Sequence, residues 1–411
     1  MVLISRELFV GLDNVFLDKL GVSELRLGII DLKTFVEKAS IDMFRCEGLI
    51  HHGHIEAARK IFKRSKEEPI EYPKYAPETY MLCNIMLNRR LNIDHLALFH
   101  PLGEIQTSLA VLAAYTGLEE FLKYYLKAER REDTPLSAKY LDRAVMFDRV
   151  LWRFSMNDTL HFVIQYLEDL LTKKKCPKYI KNCVYSTLMA YYKYMGDYRK
   201  SKEYHDILMS NYDPDSDLIY NWRVDPTIAR NLYLYGDKDL CWRILEKNAG
   251  AVEGIKLVSK ISPYISMPSR EIIDLLQGFL MESYTFLMGI YGTFYSFNRY
   301  RSFGDHLKVI DILEKIYGET YDPLAKILIA FFDRKNLKQH IAEIFEHPLI
   351  AEETPVLFFH LGTLYIHIYR EARRLFEEKL SKVKSRVALQ AFINGIYDET
   401  IKLSYMKTQR E

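Results

Sequence analysis

Strict alternation of apolar and polar residues is almost absent from this sequence, so half-buried β-strands have little to form from. Glycine and proline are scarce, 18 and 13 in 411 residues, and both gather at a few punctuation points. An excess of either charge is lacking too. Lysine and arginine number 57 against 55 acidic residues, for a formal net charge of +2. That balance gives no global case for a nucleic acid or a membrane as the main partner, although local patches can still form. Cysteine is sparse, scattered and odd in number (Cys46, Cys83, Cys176, Cys183 and Cys241), which reads as reduced core thiols of an intracellular protein and not as a disulfide framework. No apolar run reaches membrane length. Ser283 to Asn298 comes closest; it is uncharged but short, and Gln277 and Glu282 stand just before it, so it reads as a buried helix. The first twenty residues contain Glu7, Asp13 and Asp18, which suits neither a secretory signal nor a transit peptide. Phosphate-cradling glycine loops of the GxxxxGK[ST] or GxGxxG type are missing.

What the sequence does have is helical periodicity, with 49% hydrophobic residues to supply a core. Leu160, Val163, Ile164, Leu167, Leu170 and Leu171 follow one buried helix stripe. Val184, Leu188, Tyr191, Tyr192 and Met195 follow another, and Val309, Ile312, Leu313 and Ile316 a third. Asp158 is placed to cap the first of these helices, and Pro177 stands where the second begins. An apolar helix, a glycine turn and a second helix recur around Gly53, Gly117, Gly196 and Gly236. The glycine lets the first helix end in a left-handed cap so the second folds back beside it. Such hairpins bury their faces only by stacking. The pattern predicts an all-α fold, an α-solenoid of degenerate tetratricopeptide-like hairpins with a C-terminal helical block. Breaks at 67–77, rich in proline, and at 261–268, with two prolines, divide it into N-terminal hairpins (1–66), a central solenoid (77–260) and the C-terminal block (261–411). The block opens on a strongly apolar helix or bent pair over 271–297. It ends in helices over about 355–405 that carry Arg370, Arg373 and Arg374.

Candidate chemistry is thin. His51, His52 and His54 bracket a turn glycine and have no carboxylate or thiolate at metal spacing nearby, so they read as surface turn histidines. Cys176 and Cys183, seven apart around Pro177, do not make a zinc knuckle. His360 and His367 share a helix with Tyr365 and Tyr369, where packing is the expected role. No catalytic, cofactor-binding or metal-binding residue is assigned. Two basic groups remain. Arg59, Lys60, Lys63, Arg64 and Lys66 line a helix end, and Lys173, Lys174, Lys175, Lys178 and Lys181 crowd a turn between two helices. Each reads either as a solvated face with favourable charge at a helix C-terminus or as a contact for RNA phosphate, ribosomal RNA included. No base-stacking motif interleaves with either group, which speaks against sequence-specific RNA reading.

Three stretches, in order, resemble the auxiliary, non-catalytic subunit of the N-terminal acetyltransferase B complex. The first is LMAYYKYMGDYRKSKEYHDIL, Leu188 to Leu208. The family has an apolar helix there ending Leu-Tyr-x-x-Leu-Gly, then a helix with Tyr-x-x-Leu; Met195-Gly196 and Tyr204 to Ile207 take those places. Asp215-Ser216 matches a following Asp-Thr pair, whereas Ser210, Tyr212 and Asp213 replace the family's Lys, Ile and Gln. The second stretch, Ala249 to Val258, is similar to Gly-Ala-Phe-Glu-x-Ile-x-x-Phe. The third, Ser266 to Leu276, is similar to a helix of the form Ser…Arg-x-Glu-x-x-Leu-Leu-Asp-Leu-Leu.

The resemblance implies a cytoplasmic scaffold that wraps a small catalytic acetyltransferase subunit and places it near the ribosomal exit tunnel. Nascent chains starting Met-Asp, Met-Glu, Met-Asn or Met-Gln would be acetylated by that partner. Acetyl-CoA would be bound by the partner, with no cofactor, small-molecule substrate or membrane contact in this chain. An acyl-CoA pyrophosphate loop needs Arg/Gln-x-x-Gly-x-Gly/Ala at a helix start. Arg45 to Ile50 comes nearest, fails at its last position and lies inside a helical repeat. Two other readings stand beside this one: a scaffold of another assembly, and an RNA-binding helical-repeat protein.

Overall fold

The computed structural model describes residues 2–65, the single positions Thr79, Cys83 and Leu87, and residues 161–214, 225–235, 237–250 and 306–407. It is all-α, with no strand among the described residues. The proline-rich stretches 67–77 and 261–268, the apolar run 283–298, the helix over 271–297, Asp158, and the turns at Gly117 and Gly236 lie outside them. The chain divides into two compact units, one built from Met1–Thr134, Arg149–Phe162 and Pro348–Glu411, the other from Pro135–Asp148 and Val163–His347.

In the first unit a 3-10 turn (Arg6–Phe9) leads into α1 (Asn14–Arg26), α2 (Leu32–Lys38), α3 (Asp42–His51) and α4 (Ile55–Arg64). Asp31 caps α2, its carboxylate accepting from Thr34 N at 2.7 Å. Gly53 has φ +78°, and His54 N returns to Leu49 O at 2.8 Å, which is the glycine-closed helix end expected from the sequence. The Phe35 ring packs against Gly21 of α1 and Gly48 of α3, so those glycines are cavities for a ring. Arg45 bonds the carbonyls of Val36 and Ala39, and Cys46 and Glu47 are buried. The Arg45–Ile50 stretch is thus mid-helix packing and no phosphate loop.

The same unit holds α13 (Pro348–Ala351), α14 (Pro355–Leu380) and α15 (Arg386–Lys407). Because Gly362 and Gly395 have no side chains, the backbones of α14 and α15 touch where they cross. Tyr365, Phe376 and Phe392 converge beside that crossing, with ring centroids 5.0–6.1 Å apart. The Tyr365 hydroxyl donates to Leu3 O at 2.6 Å, Ser5 N donates to Glu377 at 2.8 Å, and Arg373 donates to Val2 O at 2.8 Å. Residues far apart in sequence therefore share one core. Several of its buried carboxylates are bonded. Buried Asp18 accepts from Ser40 N and Ile41 N at the start of α3, and buried Glu47 pairs with Arg26 and accepts from Tyr397 and Thr79.

The second unit is a succession of hairpins: α5 (His161–Thr172), α6 (Lys178–Tyr194), α7 (Tyr198–Asn211), α8 (Asp225–Tyr235), α9 (Lys238–Gly250), α10 (His306–Thr320), α11 (Pro323–Phe332) and α12 (Leu337–Glu346). From α6 on, helices packed against one another include α6 with both α7 and α8, α8 with α9, α9 with α10, and α11 with both α10 and α12. This is the solenoid-like stacking of degenerate repeats. Ile164, Leu167 and Leu170 are buried as the periodicity requires, as are Val184, Leu188, Tyr191 and Tyr192, and all four of Val309, Ile312, Leu313 and Ile316. Two positions depart from the expected stripes. Leu171 is half-buried and Met195 is exposed, because the chain turns away at Gly196 (φ +81°) before Met195 can face the core. Pro177 stands immediately before α6, at its N-cap position.

Candidate functional site

Pro177 shapes the lysine-rich turn. α5 ends at Thr172, and Cys176 is buried with its amide bonded to Lys173 O at 3.1 Å. That anchor holds the turn, and burial pushes the Cys176 thiol up while nearby Lys181 opposes the shift. Lys173, Lys174, Lys175 and Lys178 are exposed and Lys181 is half-buried. Among the described residues none of the five makes an ion pair.

Helix polarity splits the group. Lys173, Lys174 and Lys175 follow the C-terminus of α5, where cations are favoured. Lys178 opens α6 and Lys181 lies within its first turn, where the helix's own field is already positive. Favourable charge at a helix end, the solvated-face reading of these lysines, therefore covers three of the five. The start of α6 has no acidic residue in its first turn and no side-chain cap, since Pro177 offers no capping oxygen. The other basic group is more ordinary. Arg59 pairs with Glu56, Lys63 and Arg64 sit in the last turn of α4, and Lys66 lies outside the described residues.

At the far end of α6 the Gly196 turn presents a different surface. Tyr198 is 69% exposed and Met195 41%, while Ile207, further along α7 and on its other side, is 38% exposed. Charges on α7 pair among themselves, Lys202 with Asp206 at 2.9 Å and Arg199 with Glu203 at 3.8 Å. The inner tyrosines of this hairpin are tied down. Tyr192 and Tyr204 stack at 5.7 Å, and both hydroxyls donate to Glu168 of α5, at 2.8 and 3.1 Å. Burial and Glu168 push both phenols up. Sequence alone did not separate core rings from exposed ones; burial does, and it leaves Tyr198 facing out.

The histidines are corrected in part. His52 and His54 are exposed, but His51 is half-buried at the end of α3, and burial with Arg26 and His52 nearby pushes its pKa down to about 3. No group of three or more metal-competent side chains occurs among the described residues. His367 bonds buried Glu399 at 2.9 Å, and His360 packs edge-on against Phe359. All five cysteines are buried and free. Among the described residues no helix is long and apolar enough to cross a membrane. Comparison of the chain with protein-family models, curated proteins and solved structures finds no match.

Proposed function

We propose that this chain is a non-catalytic, cytoplasmic scaffold that binds other macromolecules, and specifically the auxiliary subunit of an N-terminal acetyltransferase of the B type. The observation that carries the reading is the α6–α7 hairpin. The stretch that bears the family resemblance, 188–208, folds as two helices about a left-handed Gly196, exposes Tyr198 and Met195 beside that turn, and pairs Arg199 with Glu203 and Lys202 with Asp206. Exposed tyrosine and methionine among self-paired charges suit a protein partner, because a few aromatic and adaptable side chains dominate most interfaces. The partner is the small catalytic subunit, which supplies acetyl-CoA chemistry. The scaffold raises turnover by orienting its partner and not by donating a group.

Co-expression with such a catalytic subunit, size exclusion and turnover of a Met-Asp peptide test this. A one-to-one complex that outperforms the catalytic subunit alone supports it, and substituting Tyr198→Ala with Met195→Ala should then weaken co-elution while helicity is unchanged. Separate elution with unaltered turnover removes the acetyltransferase assignment and leaves a scaffold of another assembly. The lysine turn favours a second reading, contact with RNA, the ribosome included. Changing Lys173, Lys174, Lys175, Lys178 and Lys181 to Glu should reduce co-sedimentation with ribosomes; unchanged sedimentation at low salt returns the turn to a solvated face.

A further inference from the structure

We propose that the groove between α1 and α14 that holds residues 2–5 is a peptide-binding site, occupied by the chain's own segment until a segment of another protein with two adjacent large aliphatic residues takes its place. The site lies wholly within the first unit and is independent of the acetyltransferase assignment.

Residues 2–5 enter no helix, and side chains take bonds that a helix or sheet would otherwise make. Glu24 of α1 accepts from Leu3 N at 3.3 Å. From α14, Tyr365 donates to Leu3 O at 2.6 Å, Arg373 donates to Val2 O at 2.8 Å, and Glu377 accepts from Ser5 N at 2.8 Å. Leu3 and Ile4 are fully buried, while Val2 is exposed. Main-chain bonds hold a peptide whatever its sequence, and pockets for particular side chains select among sequences. The segment is held in that way, by bonds to its backbone and by burial of two adjacent aliphatic side chains.

The groove keeps its form without its occupant. Arg373 and Glu377 pair with each other at 2.9 Å, and Glu24 pairs with Arg6 at 3.0 Å. These charged groups therefore retain a partner and an orientation when residues 2–5 leave, so departure does not strand a buried charge, which would be costly. Tyr365 stays packed against Phe376 and Phe392, with its hydroxyl left for an incoming carbonyl. The chain is pinned just beyond the segment, because Phe9 is fully buried in the 3-10 turn. A hinge between Ser5 and Arg6 frees the segment without moving α1.

Leu3→Asp with Ile4→Asp in the full chain expels the segment and leaves every groove residue in place. The probe is a fluorescein-labelled peptide with the sequence of residues 2–5, capped at both ends and followed by anisotropy. A tethered segment competes at an effective concentration on the order of millimolar, so a peptide with a Kd of about 100 µM for the released variant should bind the parent about tenfold more weakly. Aspartate in place of the peptide's leucine and isoleucine should weaken binding at least about tenfold. N-methylation of its leucine and serine nitrogens should do the same, because it removes the bonds to Glu24 and Glu377. Hydrogen exchange of the parent is the second measurement. The Leu3 and Ser5 amides should exchange at least about tenfold faster than those of Leu364 and Ala372 within α14, since the segment opens without the helix. Binding by the released variant with these losses, and early exchange of Leu3 and Ser5, supports the site. Loss of helical signal in the variant, no binding at millimolar peptide, equal binding of the aspartate peptide, or exchange of Leu3 and Ser5 only together with α14 each overturns it.

Discussion

Gly362→Ala tests the α14–α15 crossing, and Gly318→Ala is its built-in control. Replacing glycine by alanine inside a helix ordinarily gains about 1 kcal/mol of propensity. At Gly318, in α10, an added Cβ meets nothing within 4 Å, so the substitution should stabilise the chain by about 0.5–1 kcal/mol. At Gly362 the same methyl would overlap the carbonyl oxygen of Phe392, and at Gly395 that of Phe359. Backbone cannot rotate away as a side-chain tip can. Restoring an ordinary separation of about 3.5 Å forces α14 and α15 apart by more than about 1 Å, and a gap of that size forfeits up to half of each contact's attraction. Tyr365, Phe376 and Phe392 pack at this point, so many contacts weaken together. Overpacking at the upper end of its usual range, about 3 kcal/mol because backbone meets backbone, less a propensity gain of about 1 kcal/mol, leaves a net loss of about 2 kcal/mol. Denaturant titration followed by circular dichroism reads this as an earlier transition for the first unit only. Two units need not unfold together, so midpoints should be compared transition by transition. If Gly362→Ala were as stable as the parent, or moved in the same direction as Gly318→Ala, the close crossing would be wrong.

Two pH effects follow from buried and bonded groups. The Asp333 carboxylate accepts from His340 at 2.8 Å and from Asn336 at 2.9 Å, which pulls its pKa from 3.8 down to about 2, the His340 bond being the largest cause. A depressed carboxylate contributes stability that is full above the unfolded value and is lost as pH falls from about 4 towards 2. Asp333→Asn should flatten the acid limb of the second unit's unfolding curve; an unaltered limb would count against the pairing. His51, at about 3 against an ordinary 6.5, is neutral when folded, so the unfolded chain binds more protons between those values and stability rises with pH across that window. His51→Asn should remove that rise, and proton NMR should find the native imidazole untitrated at pH 5.

Local features of the fold were legible in the sequence. Glycine turns at Gly53 and Gly196, the start of α6 at Pro177 and the stripe on α10 depend on neighbours within one or two turns, and periodicity reports those directly. Met195 fell off its stripe because a spacing rule cannot see where a helix stops. The first unit was not legible in the same way. α1 buries Asp18, Lys19, Ser23 and Glu24, so its inward face looks polar, and its partners on α3 and α15 leave no local trace. For the lysine turn, composition located the charge, but only the helix ends showed that three lysines stand where a helix favours them and two where it does not. The outward Tyr198 had no sequence signal at all, since it looks like every other tyrosine of the hairpins.

The bond from Tyr365 to Leu3 joins residues 362 positions apart. At about 5–20 residues per second on the ribosome, Leu3 waits roughly 20–70 s for the helix that receives it. During that interval α1 to α4 have emerged with Leu3, Phe9 and Leu20 awaiting part of their cover, while the hairpins of the second unit can already close on near neighbours. Folding is thus ordered from the middle of the chain outward in time. The opening segment is the part that waits longest for its cover, and slowing synthesis after residue 347 should lengthen its exposure to proteases more than that of α6 or α11.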